Sequence, residues 1–462
     1  MAIRTRFAPS PTGDLHIGSV RTALFSYLFA KKHGGTFLLR IEDTDLERST
    51  DASLQVIYQG MEWLGLHSDE TPILQSNKID EYRGIAHQLI ESGHAYRCYC
   101  SKDRLAALRE QQMADKQKPR YDGHCREQAP SNPEAPHVIR FQTPKTGMVS
   151  FTDLIHGEIQ VANEELDDLV IIRQDGMPTY NLSVVVDDHD SGITHVLRGD
   201  DHLNNTPRQI HLYRALGWEP PLFGHTPMIL GPDGKRLSKR HGATNVLTYK
   251  EDGYLPQALL NYLVRLGWSH GDQEIFTLDE MIRCFDLNHV SLSCASINAE
   301  KLDWLNQQHM RMMLPADLAV LAEPFFKGMD LASGPAVYDL IPLFVERVKT
   351  LCELAERSRF FYSLDLATLD PALLAKAQSP EAKQVMEAAI AAFEQLQDWS
   401  SEPIHEAIKT LCETLGFKMG QIGPPLRIAL TGTMQSPALD QTMAVMGKQK
   451  VLERLKNNLN RC

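Results

Sequence analysis

The pattern of apolar and polar positions is most informative at the start of the chain. Residues 3–8 (IRTRFA) read as a short strand, which Pro9, Pro11 and Gly13 break into a loop. From His16 to Lys32 the spacing is helical, with Leu24, Leu28 and Phe29 on one face. Gly34 and Gly35 are placed to end that helix. Residues 36–43 (TFLLRIED) then form an apolar strand that ends in acids. Strand, helix and strand in such close succession predict a βαβ unit and hence a parallel sheet. Ligands bearing phosphate sit at the carboxyl ends of strands in such sheets.

Further along, 52–66 and 79–93 read as helices, and 103–134 is polar and Pro-containing. HVIRFQT, MVSFTDLI and DDLVIIRQ read as strands, and 183–198 (SVVVDDHDSGITHVLR) as two more strands of a core sheet. The segment from 98 to 190 therefore reads as an insertion between two halves of one nucleotide-binding fold, 1–97 and 191–245. Beyond 245 the pattern turns helical with few strand signals, which suggests a helical stretch over 246–320 and another helical domain over 321–462.

At 462 residues the chain has room for several domains and a large core. It is 43% hydrophobic and 23% charged, as a globular enzyme would be. No apolar run is long enough to span a membrane, and the first residues lack a secretory apolar region, so a cytoplasmic protein is expected. The net charge of −12 argues against a uniformly basic nucleic-acid binder, yet a local basic strip can sit on an acidic body. Of the eight cysteines, Cys98, Cys100 and Cys125 lie close together in sequence. In a reducing compartment such a cluster points to metal rather than to disulfides.

Two loops carry chemistry. PSPTGDLHIGS, Pro9 to Ser19, is a Pro/Gly-rich loop that leads into a helix N-terminus, where unpaired N–H groups suit phosphate. His16 could donate to a phosphoryl oxygen, and Gly18 would let a base or ribose approach the backbone. Alone, this loop is better explained as a strand-to-helix turn capped by histidine. GKRLSKRHG, Gly234 to Gly242, sets Lys235, Arg236, Lys239 and Arg240 among Gly and Ser, as a cationic loop on a triphosphate would. Alone, such a run is more commonly a solvated basic turn.

Taken together, the two loops resemble the paired ATP motifs of class I aminoacyl-tRNA synthetases. RFAPSPTG, RIEDTD, RGDDHLNNTPRQ, DGYLPQALLNYLVRLGWSHGD and GPPLRIALTG extend the likeness to glutamyl-tRNA synthetases over nearly the whole chain. Ser19 stands where the class often has a second histidine, and Asp200 where this family often has glutamate. The resemblance implies a Rossmann-type α/β catalytic domain with an inserted α/β connective domain that binds the acceptor stem. An all-α stem-contact region and a helical anticodon-binding domain follow. It implies that Pro9, His16, Gly18, Ser19, Arg236, Leu237, Ser238, Lys239 and Arg240 bind ATP, with His16 and Lys239 acting on the phosphates. Arg6, Ala8, Ser10, Glu42, Tyr180 and Arg198 would bind L-glutamate, Glu42 at its α-amino group and Arg198 at its side-chain carboxylate. A guanidinium can meet a carboxylate through two parallel bonds, which suits that role.

The same resemblance implies ATP, Mg2+ and tRNA(Glu) as substrates or companions, a monomeric enzyme, and Arg427, Ser436 and Pro437 near the anticodon. It also suggests structural Zn2+ on Cys98, Cys100 and Cys125. Histidine, the family's frequent fourth ligand two residues after the last cysteine, is Glu127 here. Tyr121, His124 and Glu127 are thus the candidates, and Tyr121 is favoured because related tRNA-modifying enzymes place a tyrosine four residues before that cysteine. Charging of tRNA(Glu) alone or of tRNA(Gln) as well is left open, because such forms share every catalytic motif.

Overall fold

The run TFLLRI forms strand β2 (Thr36–Ile41), in which every residue after the first is buried. It lies parallel to β1 (Arg4–Phe7), with Arg6 opposite Leu38. Helix α1 (Ile17–Lys32) joins the two, completing the predicted βαβ unit. Gly34 ends the helix at φ 63°, and a Cβ on Gly35 would fall 2.3 Å from the Ile3 carbonyl oxygen. Only glycine fits that turn.

The computed structural model describes residues 2–45, 47–127, 132, 134–235, 237, 245–365 and 369–460. They fall into two units: Met1–Thr248 with Leu259–Asn298, and Tyr249–Ala258 with Ala299–Cys462.

In the first unit β2 also pairs in parallel with β3 (Ile73–Leu74), after helix α2 (Asp51–Leu64). Then come α3 (Ile79–Glu91), β4 (Ala95–Cys98), α4 (Lys102–Ala114), β5 (Val138–Phe141), β6 (Met148–Asp153), β7 (Gly157–Ala162) and β8 (Val170–Ile172). α5 (Tyr180–Asp190), β9 (His195–Gly199), α6 (Thr206–Ala215) and β10 (Leu222–Thr226) follow. β4, β5 and β8 form an antiparallel sheet, and β7, β6, β10 and β9 another sheet in that order. β1 runs beside β9, where the Thr194 N–H donates to the Arg4 carbonyl at 3.0 Å. Strand β6, from the segment read as an insertion, thus shares a sheet with β9 and β10.

Residues 183–190 belong to helix α5, not to a strand. The helix buries Leu182 to Asp188 without a break, so its apolar run shows no helical period. A short, wholly buried run cannot be told from a strand by periodicity. The polar stretch 103–134 likewise contains α4, which buries no residue and is capped by Ser101.

The second unit has no strand among its described residues. Helices such as Pro380–Gln395, Met419–Thr431 and Lys448–Leu459 pack around a core that includes Phe344, Phe361, Met386, Phe393 and Leu426. Among the described residues no helix is long and apolar enough to cross a membrane.

Candidate active site

The carboxyl ends of β1 and β9 and the start of α1 open onto a cleft of about 600 Å³. Arg6, Ala8, Pro9, Ser10, His16, Gly18, Ser19, Glu42, Tyr180, Arg198 and Leu237 all line it. Every predicted glutamate residue and every described predicted ATP residue is therefore at one place. Arg236, Ser238, Lys239 and Arg240 lie outside the described residues. Leu237, within that segment, lines the cleft, and Asn245, after it, pairs with His16.

His16 occupies the N-cap position of α1, but its side chain makes no capping hydrogen bond. Its Nδ1 is buried without a partner among the described residues. The capping reading of this histidine therefore fails, and the ring is left to the cleft.

Arg40 shows why acids gather behind the cleft. It is the penultimate residue of buried β2, at 1% exposure, and a bare guanidinium there would be prohibitively desolvated. Asp188 of α5 meets it at 2.5 Å, and Asp187 stands 3.7 Å away. Asp188 also accepts from Arg6, Nε at 3.0 Å and Nη2 at 3.4 Å. Burial would raise the Asp188 carboxyl, but Arg40 and Arg6 outweigh it and hold it below the usual range. Asp187 is satisfied in turn by Gln75 (2.7 Å), Tyr82 (2.9 Å) and Lys78 (3.1 Å).

Glu42 follows β2 into the cleft and has a weaker hold on this network. Its contact with Arg40 is 3.5 Å long. Burial pushes its carboxyl up to about 7, against the opposing charges of Arg40 and Arg6.

Arg198, at 5% exposure, is treated differently. Its Nη2 donates to Thr206 Oγ1 (2.8 Å) and Gln209 Oε1 (2.9 Å), its Nε to His225 Nε2 (3.1 Å), and its Nη1 reaches the Tyr180 hydroxyl at 3.4 Å. Among the described residues, none of its hydrogen-bond partners is a carboxylate. The Tyr180 hydroxyl also meets His202 Nδ1 at 2.9 Å. Burial and the Arg198 charge lower His202 to about 4, so this neighbour is neutral as well.

Asp188, His202 and His225 contact the arginines and the tyrosine of the cleft but escaped the sequence reading. A pair of acids inside an apolar run was the available signal, since buried acids require partners.

Elsewhere in the same unit, the Sγ atoms of Cys98, Cys100 and Cys125 lie within 4.8 Å of one another. The Tyr121 hydroxyl is 3.4 Å from Cys98 Sγ and 3.6 Å from Cys100 Sγ, and accepts the Cys125 N–H at 2.9 Å. His124 and Glu127 are exposed and stand outside this group. In the helical unit, Arg427 Nη1 donates to the carbonyls of Ser436 (3.0 Å) and Pro437 (2.7 Å), and also meets the Ser436 hydroxyl. The three predicted anticodon residues are therefore bound to one another.

Comparison with known proteins shows the family. Residues 2–304 match the model for tRNA synthetases class I (E and Q), catalytic domain, and 317–459 match an anticodon binding domain. A glutamate–tRNA ligase of Alkalilimnicola ehrlichii is 54% identical over 98% of this chain and 97% of its own. One from Legionella pneumophila is 52% identical over 100% and 98%. The crystal structure of a glutamate tRNA ligase from Elizabethkingia meningosepticum, in complex with its amino acid, superposes with a TM-score of 0.88. It is 35% identical, with 100% of this chain and 99% of that one covered. Matched from end to end in both of its units, the chain belongs to the glutamate–tRNA ligase family of class I tRNA synthetases.

Proposed function

We propose that the cleft binds L-glutamate with its α-ammonium at Glu42 and its side-chain carboxylate at Arg198, and joins it to tRNA(Glu). The observation that carries this is the contrast of charge within the cleft. Arg198 is a buried cation whose partners are all neutral, so an incoming carboxylate supplies the missing charge. Glu42 is a desolvated carboxyl with one long cationic contact, which an ammonium would complete.

The reaction has two steps. The α-carboxylate of glutamate attacks the α-phosphorus of ATP, forming the mixed anhydride and releasing pyrophosphate. The terminal ribose hydroxyl of the tRNA then attacks the anhydride carbonyl and releases AMP. The chain's part is to position the reactants and to stabilise charge. His16 and Lys239 act on the phosphates, and Pro9, Gly18 and Ser19 form the wall where the nucleotide lies. Magnesium accompanies ATP as part of that substrate. Family resemblance supports a monomeric, cytoplasmic enzyme, with an anticodon region that includes Arg427.

The residues around Cys98 fit a structural zinc ion. Four ligands on bonds of ~2.3 Å would stand roughly 3.8 Å apart. The Cys100 and Cys125 sulfurs are 3.5 Å apart, and the Tyr121 oxygen keeps similar distances to two thiols. Cys98, Cys100, Cys125 and Tyr121 would hold the ion and tie α4 and the following loop to β4. Metal analysis of chelator-free protein should find about one zinc per chain; only trace zinc would refute the site.

The function is tested by aminoacylation with radiolabelled glutamate, ATP and magnesium on separate tRNA(Glu) and tRNA(Gln) transcripts. Charging of tRNA(Glu) alone is expected. Charging of both would keep the chemistry and make the enzyme non-discriminating, and charging of neither, from folded protein with native tRNA, would overturn the proposal.

A further inference from the structure

Arg198 receives a substrate well only if its guanidinium plane points one way, and three side chains set that plane. Thr206 and Gln209 take Nη2, and Gln209 is itself fixed because its Nε2 donates to Asn181 Oδ1 at 3.0 Å. His225, on β10, takes Nε through its Nε2. Behind His225 stands Asp153, the last residue of β6, whose Oδ2 is 2.6 Å from His225 Nδ1. Both side chains are wholly buried.

We infer that Asp153 and His225 are a positioning pair that aims Arg198 at the substrate carboxylate by enforcing one ring tautomer. The inference rests on the reading of Arg198 as the glutamate receptor. The Asp153 Oδ1 is already occupied: it accepts the backbone N–H groups of Ile155 and His156 at 2.9 Å each, and that of His225 at 3.3 Å. Its Oδ2 can only accept, so the His225 proton sits on Nδ1. Nε2 is then a bare lone pair, facing the Arg198 Nε–H and the Thr206 hydroxyl, each at 3.1 Å. Either the other tautomer or the imidazolium would set N–H against N–H and turn the guanidinium away.

The surroundings keep the ring neutral. It meets Asp153 on one side and the Arg198 charge and Thr206 on the other, with Phe223 stacked at 6.4 Å. Burial outweighs the pull of Asp153 and lowers the imidazole below its ordinary value. The arrangement follows the general rule that the hydrogen bond at one ring nitrogen decides what the other can do. It also gives β6 a function: the strand holds the carboxylate that sets the receptor.

Asp153→Asn tests the pair with almost no change of shape. The single amide oxygen must stay with the backbone N–H groups, so the NH2 faces Nδ1. The ring proton then moves to Nε2, against Arg198. The KM for glutamate is expected to rise ~10- to 100-fold while the KM for ATP stays within about threefold. Arg198→Lys is measured beside it. An unchanged glutamate KM in Arg198→Lys would refute the receptor reading itself. A raised KM there with an unchanged one in Asp153→Asn would refute the positioning pair alone. Should the Asn variant fail to fold, 15N spectra of histidine-labelled wild-type enzyme decide, with His225 assigned by its loss in His225→Gln. A proton on Nδ1 alone is expected; one on Nε2, or on both, overturns the inference.

Discussion

Buried guanidinium groups at and behind the cleft are held in two different ways. Arg6 and Arg40 share the Asp188 carboxylate, and Arg40 leans on Asp187 as well. Arg198 is just as buried, yet among the described residues its side chain hydrogen-bonds only hydroxyl, amide and imidazole groups. The first set is electrically closed and serves as a frame. The second is held firmly but left charged, which suits a receptor for an anion. Burial alone does not distinguish a structural arginine from a binding one; the charge of its partners does.

The largest effect expected from this contrast is on stability. Asp188→Asn leaves Arg6 and Arg40 without their shared counter-charge and should cost about 3–5 kcal/mol in denaturant unfolding. Arg198→Met removes a cation that no carboxylate among the described residues hydrogen-bonds, so it should cost clearly less. Equal losses in the two variants would erase the distinction.

A second test uses pH. The Glu42 carboxyl is pushed up to about 7, so the ionised form that would hold an ammonium is present above that pH. As pH falls through about 7 the carboxyl takes up a proton, and the KM for glutamate should rise by about tenfold per pH unit. The effect on folding has the opposite sense. A carboxyl with a raised pKa favours the folded state while protonated, so this contribution is lost as pH rises from the ordinary carboxylate range to about 7. A glutamate KM that stays flat between about pH 8 and 6 would remove Glu42 from the ammonium site.

The smallest effect belongs to Arg427. It is half-buried and spends its Nη1 on the carbonyls of Ser436 and Pro437. Arg427→Ala should weaken the helical unit by about 1–3 kcal/mol through those unpaired carbonyls. It should also raise the KM for tRNA more than that for glutamate.

The sequence made the cleft legible because its lining comes in short stretches. Arg6 to Ser19 form one continuous run, and Glu42, Tyr180 and Arg198 each stand inside a recognisable motif. The groups behind the lining were not legible. Asp188 meets Arg6 across 182 residues, and Asp153 meets His225 across 72. No local pattern reports such pairings. The strand expectation for 183–190 hid Asp187 and Asp188 further, because a helix buried on all sides has no polar face to betray its period. The thiol cluster was visible from spacing. The choice of Tyr121 over His124 and Glu127 is favoured by geometry that spacing does not carry, namely a hydroxyl set among the sulfurs.

The central claim, that Arg198 recognises the charge of the substrate side chain, is tested most directly by glutamate and glutamine as competing substrates. The kcat/KM ratio of the two would be measured in aminoacylation by wild-type enzyme and by Arg198→Met. A strong preference for glutamate is expected in the wild type, and a collapse of that preference toward parity in the variant as the reaction with glutamate is lost. A variant that is slower with both amino acids but still strongly prefers glutamate would show that the charge is read elsewhere.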